Sequence, residues 1–249
     1  MTSDGECYEA FFDLSTAALH LLAMAFMLSD HLWATLFLSQ EWMTAVGRLA
    51  FPIFAFLAVE GYFHTHSFRR YALRMLLFAV LSEVPFDLMY SGTPFYPVHQ
   101  NVIWTLLLGL LGIRAMEAVR ARGKRWLFLL TCVGVTALGG VLGTLCMVDY
   151  YGAGVLTVFV FYFFRRRKWW DLLGQIAALY WINVQLLGGQ VFPFSLFGHS
   201  FELCEQGLAL LALIPIWLYK GRQGFHNRAF QYFCYAFYPV HMLILGLIA

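Results

Sequence analysis

Apolar residues run almost unbroken along this chain, in stretches of about 17–23 separated by short polar links. At roughly 1.5 Å rise per residue, each stretch is long enough to cross the roughly 30 Å hydrocarbon core of a bilayer. The pattern predicts nine spans, at 17–38, 45–64, 71–90, 101–119, 125–147, 151–165, 171–187, 203–219 and 229–248. The sixth is short and the seventh is interrupted by polar residues. The expected fold is an all-α, polytopic membrane bundle, one domain over residues 1–249, with no linker, internal repeat or low-complexity segment. The longest links, about 91–100 and 188–202, are rich in Gly, Pro, Phe and Tyr and are expected to form ordered caps or short re-entrant pieces.

The charges orient this bundle. Basic residues fall in four links: Arg69, Arg70 and Arg74; Arg114, Arg120, Arg122, Lys124 and Arg125; Arg165, Arg166, Arg167 and Lys168; Lys220, Arg222 and Arg228. With nine spans all four lie on one side, which the excess of Lys and Arg in cytoplasmic loops makes the inside. The N-terminus is then cytoplasmic and the C-terminus outside. Residues 1–16 carry Asp4, Glu6, Glu9 and Asp13 and no basic region, unlike a cleavable signal peptide, and are expected to form a cytoplasmic interfacial segment.

Composition agrees. The chain is 61% hydrophobic, 18% aromatic and 12% charged, with mean hydropathy +0.69. A soluble domain carries about twice that charged fraction. The lipid bilayer is thus the first expected partner, and nucleic acid is not one. The five cysteines (Cys7, Cys132, Cys146, Cys204, Cys234) lack metal-ligand or redox-pair spacing and read as apolar fillers, so no metal is expected.

Against this background, Arg48 is the one basic residue outside the four links, and Asp30-His31 lies within the first span. Ionisable groups in hydrocarbon are costly and persist where they pair, line a cavity or do chemistry. His31 lies about ten residues before the turn at Gln40–Trp42 and Arg48 about seven after it, so both occupy the same third of the bilayer. Glu83 and Asp87, four apart on one helix face, flank Pro85, whose kink is expected to bend them inward. His99, Gln100 and Asn101 enter the fourth span at that level, with Tyr238 and His241 in the ninth. Glu60, followed by His64 and His66, marks the opposite end of span two. An imidazole supported by a carboxylate from Asp30, Glu83 or Asp87 suits general-base chemistry near neutral pH, and Arg48 suits an oxyanion or an anionic group. Acid–base or acyl transfer, proton-coupled secondary transport by the same residues, and a non-catalytic scaffold all remain open on these residues.

Three segments carry a family resemblance: Ser29-Asp30-His31; Gly47-Arg48-Leu49-Ala50-Phe51-Pro52-Ile53-Phe54-Ala55-Phe56 with Val59-Glu60-Gly61; and Ser82-Glu83-Val84-Pro85-Phe86-Asp87 with Gln100-Asn101. Together with the ending Tyr238-Pro239-Val240-His241, they make the chain resemble the TraX family over nearly its whole length. The resemblance implies a multi-pass acetyltransferase of a bacterial cytoplasmic membrane. It would take an acetyl group from cytoplasmic acetyl-CoA, used as co-substrate. The acceptor would be a protein or peptide amine, or a small-molecule amine or hydroxyl. In the wider group of membrane acyltransferases a first-span His and a nearby Arg form the catalytic pair, which maps to His31 and Arg48, with Asp30 beside them. Glu83, Asp87, Gln100, Asn101, Tyr238 and His241 are then expected to bind the acceptor. Glu60, Arg69, Arg70, Arg74 and Arg114 are expected to bind the donor.

Overall fold

The computed structural model describes residues 14–196, 199–225 and 227–249; the N-terminal interfacial segment expected over 1–16 lies almost wholly outside them. Helices begin where short polar side chains can accept the free N–H groups of a first turn. Ser15 caps α1 (Thr16–Thr35) by accepting from Ala18 N at 3.2 Å. Ser67 caps α4 (Phe68–Ser91), which ends at Gly92 with φ +70°. Asn101 caps α5 (Val102–Arg120), and Asn227 caps α10 (Arg228–Ile248).

Between α1 and α4 one span of 24 residues, Glu41–His64, is divided into α2 (Glu41–Gly47) and α3 (Ala50–His64). The division has a covalent cause. Pro52 lacks the N–H that would bond to the Arg48 carbonyl four residues back. After α5 come α6 (Arg125–Leu145), α7 (Tyr151–Phe163) and α8 (Trp169–Tyr180), the last continuing as a π-helical stretch, Trp181–Leu187. An antiparallel hairpin, β1 (Val191–Leu196) and β2 (His199–Cys204), then interrupts the otherwise helical order, and the fold is all-α as expected. A 3₁₀ stretch, Glu205–Ala212, leads into α9 (Leu213–Leu218).

Helical segments occupy all nine predicted positions, but five are long and apolar enough to cross a membrane by themselves: Thr16–Thr35, Glu41–His64, Val102–Arg120, Arg125–Leu145 and Ala229–Ile248. This is a multi-pass membrane protein. The charges on α4 and the 13-residue length of α7 keep those two below the criterion.

α7 is short because protein surrounds it. Val155, Val158, Phe159 and Phe161 are buried against α3, α5 and α6. Gly109 and Gly112 of α5, and Gly139 of α6, admit the side chains of Val158 and Phe159 where a Cβ would collide. α6 is the converse: only Cys132 and Gly143 are buried, while Leu129, Val133, Val141 and Leu145 face outward, as a lipid-facing helix requires.

The helix links gather at two ends. At one, Gln100 N donates to Met147 O (2.8 Å) and Asp149 N to Gln100 O (2.9 Å). At the other, Thr16 N donates to Arg222 O at 2.8 Å. There Arg165 meets Glu60, Arg167 donates to the carbonyls of Ile216 and Trp217, and Arg114 stacks on Phe68. The four basic links therefore share one end of the bundle, as the charge pattern predicted.

Candidate functional site

A cavity of about 500 Å³ opens at the Gln100 end, between α1, α2, α3, α4 and the link before α7. Asp30, His31 and Arg48 all line it, so the depth matching read from the turn holds in three dimensions. Gly47 makes the approach possible: a Cβ there would lie 2.4 Å from Asp30 Cβ. With no side chain at 47, the Asp30 side chain packs directly onto the α2 backbone, and Arg48 Nη2 comes to 4.0 Å from Asp30 Oδ1.

Arg48 is held from three further directions. Its Nε donates to Glu205 Oε1 at 3.0 Å, its Nη2 donates to Thr44 Oγ1 at 2.6 Å, and the Thr44 hydroxyl donates to the same Glu205 oxygen at 3.1 Å. The phenol of Tyr150 lies against the guanidinium, with its ring stacked on Phe51 at 4.3 Å. Such a fork is oriented rather than free, so the charge at the cavity wall has a fixed position.

Tyr150 reaches Arg48 through unusual backbone. Met147, Tyr150 and Tyr151 have φ of +52°, +59° and +49°. Three non-glycine residues in the left-handed region within one link are costly and persist only where packing over-determines them. Thr105 Oγ1 donates to Asp149 O at 2.6 Å, and His99 Nε2 sits 3.4 Å from Asp149 Oδ1. His99, Asp149, Tyr150 and Tyr151 all face the cavity.

His31 is supported by a second histidine rather than a carboxylate. Its Nδ1 lies 2.7 Å from His241 Nε2, and the Nδ1 of His241 lies 2.6 Å from the Phe237 carbonyl. His241 is buried and lines neither this cavity nor the one at the basic end.

A second cavity, of about 710 Å³, opens at the basic end between α1, α3, α4 and α10. His20, Glu60, His64, His66 and Arg74 lie on its wall, and its interior is apolar. Met27, Phe54, Val102 and Tyr238 line both cavities and form a collar between them. On α1 the residues His20, Met24, Met27 and His31 follow an i, i+4, i+7, i+11 spacing, so one helix face runs along both cavities.

The structure redistributes several predicted residues. Glu83 and Asp87 do not turn into either cavity. Glu83 Oε2 accepts from Asn101 Nδ2 and from Trp104 Nε1, clamping α4 to α5. Asp87 Oδ2 accepts from Tyr96 N at 2.8 Å, tying down the link after α4. Asn101 is spent on its cap, Glu83 and Ala79 O, and Gln100 on Pro97 O and the link to Met147. These four hold helices together. His241 stands behind His31, and Tyr238 alone of the expected acceptor-binding set reaches the cavity wall. Of the expected donor-binding residues, Glu60 and Arg74 line the basic-end cavity. Arg69 and Arg70 are exposed outside it, and Arg114 covers Phe68.

Glu205, Thr44, Asp149, Tyr150 and His20 escaped sequence reasoning. Glu205 carried a readable signal, a carboxylate near the start of an apolar span. Asp149 and Tyr150 fill the three-residue gap between two predicted spans. Among the described residues no group of three or more His, Cys, Asp or Glu could hold a metal ion.

Fold and site together define a multi-pass helical membrane protein with a charged cavity at one end and a second cavity at its basic end. The chain belongs to the TraX family, whose description, "TraX protein", matches residues 15–249. It is also 30% identical over 246 residues to a protein of Dichelobacter nodosus described as "Probable fimbrial assembly protein FimC, serogroup H1", covering 94% of this chain and 95% of that one. No solved structure matches it.

Proposed function

We propose that this protein is an acetyltransferase of a bacterial cytoplasmic membrane that moves an acetyl group from cytoplasmic acetyl-CoA to an amine or hydroxyl at the outer face. The observation that carries the reading is the pair of cavities, meeting at the Met27–Phe54–Val102–Tyr238 collar with His31 on the far side. The basic links make their end cytoplasmic, with nine crossings, the N-terminus inside and the C-terminus outside. In this orientation a donor with an anionic head enters beside Arg74, His64 and His66, and its narrow arm follows the apolar interior to the collar.

Just beyond the collar His31 Nε2 takes the proton from the acceptor N–H or O–H as that atom attacks the thioester carbonyl carbon. Arg48, held by Glu205 and Thr44, offsets the charge developing on the carbonyl oxygen. The C–S bond breaks, the acetyl group stays on the acceptor, and the proton on His31 passes to the departing thiolate. The description of the relative as a probable fimbrial assembly protein supports a protein acceptor.

The same collar between opposed cavities also suits proton-coupled transport, the second reading. Purified protein in lipid, given acetyl-CoA with labelled acetyl and simple amines, separates them. Label transfer that is lost in His31→Ala supports the acetyltransferase. Neither binding nor turnover of acetyl-CoA by the folded wild type would overturn it.

A further inference from the structure

The contacts of His241 constrain where the protons of His31 sit. The Phe237 carbonyl can only accept, so the His241 nitrogen 2.6 Å from it, Nδ1, carries a hydrogen. In a neutral imidazole the other nitrogen is then a lone pair. That nitrogen, Nε2, faces His31 Nδ1 at 2.7 Å, so His31 Nδ1 must be the donor. The remaining nitrogen of His31, Nε2, is left bare on a ring that lines the distal cavity. The two rings are nearly coplanar, 8° apart with centroids 5.0 Å apart, the in-line geometry of an N–H···N bond rather than a face-to-face stack.

The surroundings keep the pair neutral. Among the described residues neither ring is ion-paired with a carboxylate; the histidine–carboxylate pairs are His64–Glu60 and His99–Asp149. His241 is buried and packed on Phe237 at 4.7 Å, and an uncompensated imidazolium there would be costly. Asp30, the carboxylate adjacent in sequence, turns to Arg48 instead.

We infer that His241 is a positioning residue: anchored by the Phe237 carbonyl, it holds His31 in the Nδ1–H tautomer and presents the bare Nε2 to the cavity. A histidine thus does here what a carboxylate does in other base-supporting arrangements, fixing tautomer and ring angle without placing a second negative charge in the membrane. The alignment depends on α10 docking against α1 and α4. Gly246 lets α10 approach the α4 backbone, where a Cβ would lie 2.8 Å from Met89 N. The catalytic consequence rests on the acetyltransferase reading; the tautomer does not.

The test is solid-state ¹⁵N NMR of ring-labelled histidine in lipid bilayers, with His31 assigned by difference from His31→Gln, alongside acetyl-transfer rates. In the wild type His31 is expected as Nδ1–H only, the minor form of a free neutral histidine. In His241→Ala that preference is lost and kcat falls about 10²-fold with KM little changed. In His241→Gln the amide oxygen can still accept from His31 Nδ1, so both tautomer and most of the rate return. A wild-type His31 protonated on Nε2, a charged His241, or an Nδ1–H tautomer that survives His241→Ala would each overturn the inference. If His241→Ala does not fold, the wild-type and Gln spectra decide it. A wild type with the expected tautomer but no turnover would overturn only the acetyltransferase reading.

Discussion

Arg48 Nε donates to Glu205 Oε1 at 3.0 Å across 157 positions of chain. This bond joins the second span to the segment that follows the hairpin. Glu205 is 5% exposed, and Arg48 is the charged group that compensates it. Breaking such a pair leaves an uncompensated charge. Glu205→Ala is therefore expected to lower stability by on the order of 3 kcal/mol and, on the acetyltransferase reading, to abolish most acetyl transfer, as the guanidinium swings toward Asp30. Glu205→Gln keeps an oxygen for both Arg48 and Thr44 and should be milder on both counts. Thermal unfolding in lipid and transfer rates measured together check the order wild type, Gln, Ala.

Gly47→Ala tests the close packing of α1 on α2. The new Cβ would meet Asp30 Cβ at 2.4 Å, an atom that cannot rotate away. Overpacking of this kind costs about 1–3 kcal/mol. The expected result is a thermal midpoint lower by several degrees and a lower kcat, because Arg48 follows Gly47. Asp30→Ala keeps its Cβ and should not rescue the stability of Gly47→Ala, whereas Asp30→Gly should recover part of it.

Val102→Trp should close the collar. Val102 lines both cavities, and an indole there would fill the passage between them. On the acetyltransferase reading, transfer is expected to fall more than about tenfold, because a misplaced reactant loses its near-attack geometry. The control is Leu111→Trp on the outward face of α5, where the residue is 46% exposed and transfer should be unchanged. An active Val102→Trp protein would show that the donor does not cross there.

Orientation is measurable without any assay of activity. In a background with all five cysteines replaced, a single cysteine at Thr93 should react with a membrane-impermeant thiol reagent added to intact cells. One at Arg122 should react only after permeabilisation. Both positions are exposed. The reverse pattern would invert the assignment of donor and acceptor cavities.

The sequence singled out three residues of the distal cavity wall because the cost of charge in hydrocarbon is a property of single residues. Asp30, His31 and Arg48 stood out by type and place alone, and the turn length set their depth. The same logic expected Glu83 and Asp87 to turn inward, and neither lines a described cavity. Each has one carboxylate oxygen bonded, but the partners, Asn101, Trp104 and the Tyr96 N–H, lie on the next helix and link. Periodicity says which residues share a face, not which neighbour that face meets.

Apolar stretch length and charge pattern, by themselves, determined a multi-pass helical chain with its basic links at one end and a histidine level with an arginine. Both follow from burial costs that each residue incurs independently. Only the tertiary structure decided that Glu205 rather than Asp30 is the principal partner of Arg48, that His241 stands behind His31, and that two cavities meet at a collar. Those are contacts between segments 157 and 210 positions apart. Such pairings are set by how whole helices pack, through close approaches such as those at Gly47 and Gly246, and local sequence carries no term for that distance.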